Sequence, residues 1–409
     1  MHFRRRRLVA KRFPRAARPG SPMSAQPKQY DLVSYGQMIG DRVRMDAYAR
    51  ALRQAVRPGC VVVDLGTGTG IFAVLACRYG ARRVYAIESS EIIDVAREIA
   101  AANACADRIQ FLQGVSLDLT LQERADVVIS DLRGVLPFFG KHIPAVADAR
   151  GRFLKPGGTL IPRQDRLWAA VAETPELYGK LDEPWTKNLY GLDLGACRQM
   201  VMNSSLKGRV PPEQLLCEPA CGPALDYDTV ENPNLHCEWN WQARRAGTGH
   251  GLLVWFDTTL AEGVEFSNAP QHPELIYGSA FFPWSEPVPV LPGDRVGVTL
   301  QADLVGDDYI WRWETCVREA EPGQAKARFR QSTFFGAALS PAHLRKHSAD
   351  YIPALDENGE IDEFILTRMD GRASQEEIAR GVAQRFPVQF TRWEDALARV
   401  GELSQKYCR

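Results

Sequence analysis

From Tyr30 onward the apolar positions fall at three- and four-residue steps, with Met38, Ile39, Val43, Ala47, Tyr48, Leu52 and Val56 separated by polar residues, and that spacing predicts amphipathic helix. The period then changes. VVVDLG (61–66), VYAIE (84–88), IQFLQG (109–114), DVVISD (126–131) and TLIP (159–162) are short apolar runs, and helical stretches at 71–79, 91–102 and 142–152 separate them. Strands alternating with helices predict βαβ units and a parallel sheet covered on both faces. Beyond Pro162 the pieces LWAAVA, GLLVWF, SAFFPW, RVGVTLQADL and IWRWET, split by Gly and Pro, read as a mostly antiparallel β domain to about residue 330. The last stretch is helical again. Ser374-x-x-Glu377 is a capping box opening QEEIARGVAQRF, after the apolar segment Phe364 to Met369 and the turn Asp370-Gly371, and a further helix runs from Trp393 to about Leu403.

This pattern divides the 409 residues into four parts, in line with the two or three cores expected of such a length. Residues 1–29 form a basic tail, 30–162 the α/β domain, 163–330 the β domain and 345–409 a small helical module of the winged-helix type. The tail carries eight basic side chains and no acid in its first 20 residues, leaving −8 on the remainder of a chain with no net charge. It lacks the apolar surface to order itself. Three readings of it stay open: a transit peptide, a basic arm for nucleic acid, or a translation start at Met23. The balanced total argues against the protein as a whole binding polyanions, and no run approaches the ~20 apolar residues of a membrane span. Nine cysteines without a secretory signal suit a reducing, cytoplasmic setting. Cys217, Cys221, His236 and Cys237 have an unusual spacing for zinc and read as ordinary thiols and a strand histidine, so no metal is expected.

The segment DLGTGTG (64–70) closes one strand and opens a helix, so Gly66, Gly68 and Gly70 let the backbone pass close beneath a ligand. The dinucleotide fingerprint places its third glycine five residues after the first; here it comes at four, and Ile71 takes the fifth place. That spacing fits a nucleoside-type ligand without phosphates. Glu88 ends the second strand 22 residues beyond Gly66, where an acid can accept both ribose hydroxyls.

With VVISDLRG at the fourth strand and RFLKPGGTLIP at the fifth, these residues resemble the class I S-adenosylmethionine-dependent methyltransferases, and within them the protein arginine methyltransferases. YGQMIGDRVR before the glycine turn, WTKNLYGLDL, HGLLVWFDTTL and EPVPVLPGDRVGV extend the resemblance from about Tyr30 to about Thr315. It implies a Rossmann-like seven-stranded sheet followed by a β barrel, a dimerisation arm near 175–200, a homodimer, S-adenosyl-L-methionine as cofactor and a protein or peptide substrate. By the same resemblance Arg44 would pair with the cofactor carboxylate, Met38 line the sulfonium, Asp64 support the methionyl amine and Ser116 lie by the adenine. Tyr35 would touch the target side chain. Leu117 stands where the family has an acid, which alters adenine recognition.

Methyl transfer from a sulfonium is an in-line displacement, so the main task is to hold the nucleophile about 3–3.5 Å from the methyl carbon. The family clamps a guanidinium between two glutamates ten residues apart, counted inclusively; this chain has Asp131 at the first place and Gly140 at the second. Asp131 is the candidate for orienting the nucleophile, and Glu173 or Asp193 would have to approach it to complete an arginine clamp. Arg133 would add a positive charge that repels a cationic target by roughly a few kcal/mol in a dry site. The family's Thr-His-Trp motif falls on Leu275, Ile276 and Tyr277. Residues from Tyr351 onward resemble the peptide-binding module of the pyrroloquinoline-quinone chaperone type, which implies recognition of leader peptides. The leading expectation is arginine N-methylation. The alternatives are a leader-guided enzyme modifying another side chain, and a non-catalytic cofactor-binding adaptor.

Overall fold

The computed structural model describes residues 30–187, 190–321 and 323–408. The expectations for the basic tail lie outside them. Two helices open the described chain, α1 (Leu32–Gly40) and α2 (Arg42–Ala55), and Asp31 and Asp41 cap them by accepting from the backbone N–H three residues on. The α/β domain follows as β1 (Val61–Leu65), α3 (Ile71–Arg78), β2 (Arg83–Glu88), α4 (Ile93–Ala102), β3 (Ile109–Gln113), β4 (Ala125–Ser130), α5 (His142–Arg152) and β5 (Leu154–Ile161). The five strands are parallel in the order β3-β2-β1-β4-β5. Every residue of β1 is buried, because both faces are covered: Val62, Val84 and Ile129 join one apolar cluster, Val61, Val63 and Tyr85 the other.

Among the described residues this sheet has five strands where seven are expected. The chain leaving β5 turns into β6 (Gln164–Ala172), which pairs antiparallel with β8 (Ala220–Asp226) and β10 (Gly247–Ala261) in a second sheet. Between them lie α6 (Pro175–Thr186), α7 (Gly195–Val201), β7 (Leu206–Gly208) and β9 (Leu235–Gln242). After β10 come β11 (Val264–Ser267), β12 (Ser279–Val290), β13 (Arg295–Val305), β14 (Asp308–Arg318), β15 (Ala325–Ser332) and α8 (Thr333–Gly336). The sheets run β7-β12-β10-β6-β8, with β11 beside β10, and β15-β14-β13-β9. In β9, Leu235, Cys237, Trp239 and Trp241 face inward and the residues between them face solvent. The fully buried Trp255, Trp284 and Trp313 fill the core. Part of WTKNLYGLDL, at 188–189, lies outside the described residues; α6 and α7 flank it.

Leu339–Arg409 is a separate compact unit with its own core of Ile361, Ile365, Ile378, Ala379, Val382, Ala396 and Val400. It holds α9 (Pro341–Arg345), α10 (Glu357–Leu366), α11 (Gln375–Arg385) and α12 (Trp393–Tyr407). The capping box is present as read, with Ser374 and Glu377 each bonded to the other's backbone N–H. A winged helix also needs strands, and among the described residues of this unit there are none. No described helix is long and apolar enough to cross a membrane, and no described group of three or more His, Cys, Asp or Glu could hold a metal ion.

Candidate active site

The glycine turn sits at the carboxyl end of β1, the edge on which parallel α/β sheets bind ligands. Gly66, Gly68 and Gly70 all have positive φ, at +74°, +53° and +81°. A Cβ on Gly68 would come 2.7 Å from the Tyr35 ring, and one on Gly66 would overlap Leu132. Glu88 braces the turn, its Oε2 accepting from the Gly68 N–H at 3.0 Å and its Oε1 from the Ser90 N–H and hydroxyl. Asp64 is buried beneath. Its Oδ2 accepts from the Thr67 hydroxyl, the Ala73 N–H in the first turn of α3 also supports the carboxylate, and Oδ1 has no hydrogen bond of ordinary geometry. Burial pushes its pKa up to about 7, against the opposing Thr67 hydrogen bond. Two carboxylates around the turn would repel a pyrophosphate and favour a ligand bearing an ammonium and a diol. S-adenosylmethionine fits: Asp64 Oδ1 is an acceptor for the amine, and Glu88 Oε2, with one donor, can still accept from a ribose hydroxyl. Ser116 is buried in the turn after β3, which abuts Glu88 because the Gly114 N–H donates to the Glu88 carbonyl at 2.9 Å.

Tyr35 lies against the glycine turn. Its ring lies over Gly68, and burial followed by the charge of Glu88 pushes its phenol up to about 12. Tyr30 packs edge-on against it and is the tyrosine that feels Asp131. Both belong to the segment that leads into and forms α1. Met38, also on α1, presents its carbonyl to Arg44 Nη1 at 3.1 Å.

Asp131 follows β4 and lies at the centre of a buried polar network. Its Oδ2 accepts from Arg44 Nε at 2.7 Å, Arg44 Nη2 at 2.6 Å and the Tyr277 hydroxyl at 2.6 Å; its Oδ1 accepts from Arg133 Nε and Nη2, both at 3.1 Å. Burial opposes ionisation, but the guanidiniums of Arg44 and Arg133 outweigh it and hold the carboxyl at about 2. Arg44 is therefore paired with Asp131 rather than standing free for a cofactor carboxylate. Tyr277 takes part in this network from the position that aligns with the last residue of the family motif. Beside it the Ile276 N–H donates to Asp41 at 2.8 Å.

Arg133 corrects the expectation that it would charge the acceptor pocket. Its side chain is wholly buried between the α/β and β domains, where Nη1 donates to Asp165 Oδ1 and Thr258 Oγ1, each at 2.8 Å, and Nη2 donates to the Tyr48 hydroxyl. The rings of Tyr48, Phe256, Phe266 and Tyr277 surround it with centroids 5.3–5.9 Å away. Asp165 also accepts from Tyr227, whose hydroxyl meets His142 Nε2 at 2.8 Å. Asp165, Tyr48, Tyr227 and His142 were missed by sequence reasoning; a charged residue opening the apolar strand β6 was the one available signal. Glu173 pairs with Arg245 and the Thr248 N–H, and Asp193 caps the Gly195 N–H, so neither completes a clamp on Asp131. At Gly140 the next side chain, Lys141, pairs with Asp307 at 2.6 Å.

The family model of the ribosomal protein L11 methyltransferase matches residues 48–173, and that of the arginine methyltransferase oligomerization subdomain matches 165–306. The chain resembles the protein arginine N-methyltransferases. The probable protein arginine N-methyltransferase 6 of Arabidopsis thaliana is 31% identical over 246 residues, 58% of this chain and 55% of that protein. Protein arginine N-methyltransferase 6 of Xenopus laevis is 28% identical over 68% of this chain and 83% of its own length. The chain thus spans 55–62% of the first three curated methyltransferases it matches. Among solved structures, the arginine methyltransferase 10 of Arabidopsis thaliana superposes with a TM-score of 0.65 at 24% identity, covering 74% of this chain and 97% of that one. The Trypanosoma brucei arginine methyltransferase 1 enzyme–prozyme complex with S-adenosylhomocysteine also gives 0.65, at 23% identity over 73% of this chain and 97% of that one. The fold is that of the arginine methyltransferases.

Proposed function

We propose that this chain is an S-adenosylmethionine-dependent protein methyltransferase acting on arginine nitrogen. The carrying observation is the unpartnered, buried Asp64 Oδ1 beneath a glycine turn whose second acid, Glu88, stands ready for a ribose. Similarity to proteins named arginine N-methyltransferases supports the choice of acceptor. The cofactor supplies an electrophilic methyl group on a sulfonium. The chain's residues bind and orient: Asp64 takes the ammonium, Glu88 the sugar, the turn at Ser116 the base, and Met38 the amino-acid end, while Arg44 helps hold Asp131. Asp131 faces the acceptor, with Tyr277 and Arg133 fixing its carboxylate. We further assign the arm around α6 and α7 to a homodimer contact, the Leu339–Arg409 unit to holding a substrate peptide, and the protein to the cytoplasm. The test is to incubate the full chain with deuteromethyl-labelled cofactor and a pool of cellular peptides. Mass spectrometry should find the label on arginine, and a label found elsewhere overturns that acceptor.

A second reading, transfer to an uncharged side chain, rests on one feature. Both oxygens of Asp131 are engaged by the chain's own arginines, and Gly140 offers no second carboxylate. The same spectra decide between the two. Cofactor binding with no labelled product from any pool would instead favour the non-catalytic adaptor.

A further inference from the structure

At the carboxyl end of β3 the chain makes a three-residue 3-10 turn, Ser116–Asp118, before running on to β4. Such a short turn leaves most of its carbonyls without helical partners. One side chain gathers them. Arg152, the last residue of α5, donates from Nη1 to the Leu119 carbonyl at 2.6 Å and from Nη2 to the Ser116 and Leu117 carbonyls at 2.8 and 3.2 Å. The guanidinium is itself held by Asp148 one helical turn earlier, with Nε to Oδ1 at 2.7 Å and Nη2 to Oδ2 at 2.6 Å. A bidentate carboxylate pair fixes the plane of the fork, so the three carbonyls are presented with a preset geometry. The charge of Asp118, in the same turn, adds to the attraction.

This turn flanks the sugar acid. Gly114, at φ +145°, sends its N–H to the Glu88 carbonyl, so the segment from 114 to 119 begins against the residue that would hold the ribose. On the function proposed above, the base attached to that ribose lies against this turn. Leu117 cannot hydrogen-bond with its side chain, so recognition there falls to backbone groups and Ser116, whose positions depend on what anchors them.

We propose that Arg152, oriented by Asp148, is the positioning residue for the purine side of the nucleoside pocket. It acts through the 116–119 backbone and touches no reacting atom. The inference rests on the function proposed above. Four proteins serve the test: wild type, Arg152→Ala, Arg152→Lys and Asp148→Asn, each titrated calorimetrically with S-adenosylhomocysteine and with adenosine, and each melted thermally. Loosening the turn makes the ligand bear its ordering cost, so Arg152→Ala should bind both ligands about tenfold more weakly. Arg152→Lys, which reaches fewer carbonyls, and Asp148→Asn, which keeps the guanidinium with a weaker anchor, should fall between. Melting temperatures should not follow this order, and in turnover KM for the cofactor should rise with kcat kept. Wild-type affinity in Arg152→Ala overturns the proposal, as does a loss of affinity that tracks melting temperature across the set. Failure of the wild type itself to bind S-adenosylhomocysteine overturns the cofactor reading, a separable result.

Discussion

At the residue scale the chemistry depends on which buried charges are matched. Arg133 meets Asp131 and Asp165 in a buried space, and breaking such a pairing costs more than the pair contributes, because a lone charge is left behind. Arg133→Met should destabilise the protein by about 3–5 kcal/mol, whereas Arg133→Met with Asp165→Asn should recover much of that loss. Urea unfolding of the two variants checks it. Asp64 gives a pH signature. Its folded pKa of about 7 lies above that of an unfolded aspartate, so its contribution to stability is full below about pH 4 and is lost as pH rises through about 7. A ligand ammonium prefers the ionised form, so S-adenosylhomocysteine affinity should rise about tenfold from pH 6 to pH 8. Asp64→Asn should flatten that rise, and calorimetry at the two pH values measures it.

At the element scale, two short segments govern access and local stability. The turn from β1 into α3 favours glycine at 68, because φ is +53° and a Cβ there would push into the Tyr35 ring. Gly68→Ala should abolish S-adenosylhomocysteine binding with little change in far-ultraviolet circular dichroism. In the C-terminal unit, Ser374 and Glu377 satisfy two N–H groups at the start of α11. Ser374→Ala should speed amide hydrogen exchange in Gln375–Arg385 roughly fivefold, the effect of one lost cap. Faster exchange spread evenly over α2 and α5 as well would contradict it.

At the scale of the whole molecule, residues up to 338 and Leu339–Arg409 each bury a core of their own. Scanning calorimetry should therefore resolve two unfolding transitions, and Ser374→Ala should lower one of them only. A single transition shifted as a whole would show the units to be coupled. Much of the architecture was legible in the chain, because strand and helix periods, the glycine turn and the capping box are local patterns fixed by backbone sterics and by which face meets water. The strands from VVVDLG to TLIP, the place of Glu88 and the antiparallel character beyond Pro162 follow from these alone. The sheet's width, the loss of a winged element and the partners of Asp131 were not legible. Arg133 reads as a free charge two residues past a strand until Asp165, Thr258 and four aromatic rings, up to 144 positions away in the chain, close around it. Local periodicity determines which segments are helix or strand, whereas pairing of buried charges depends on distances that exist only once distant segments are packed, and those contacts decide what the site can hold.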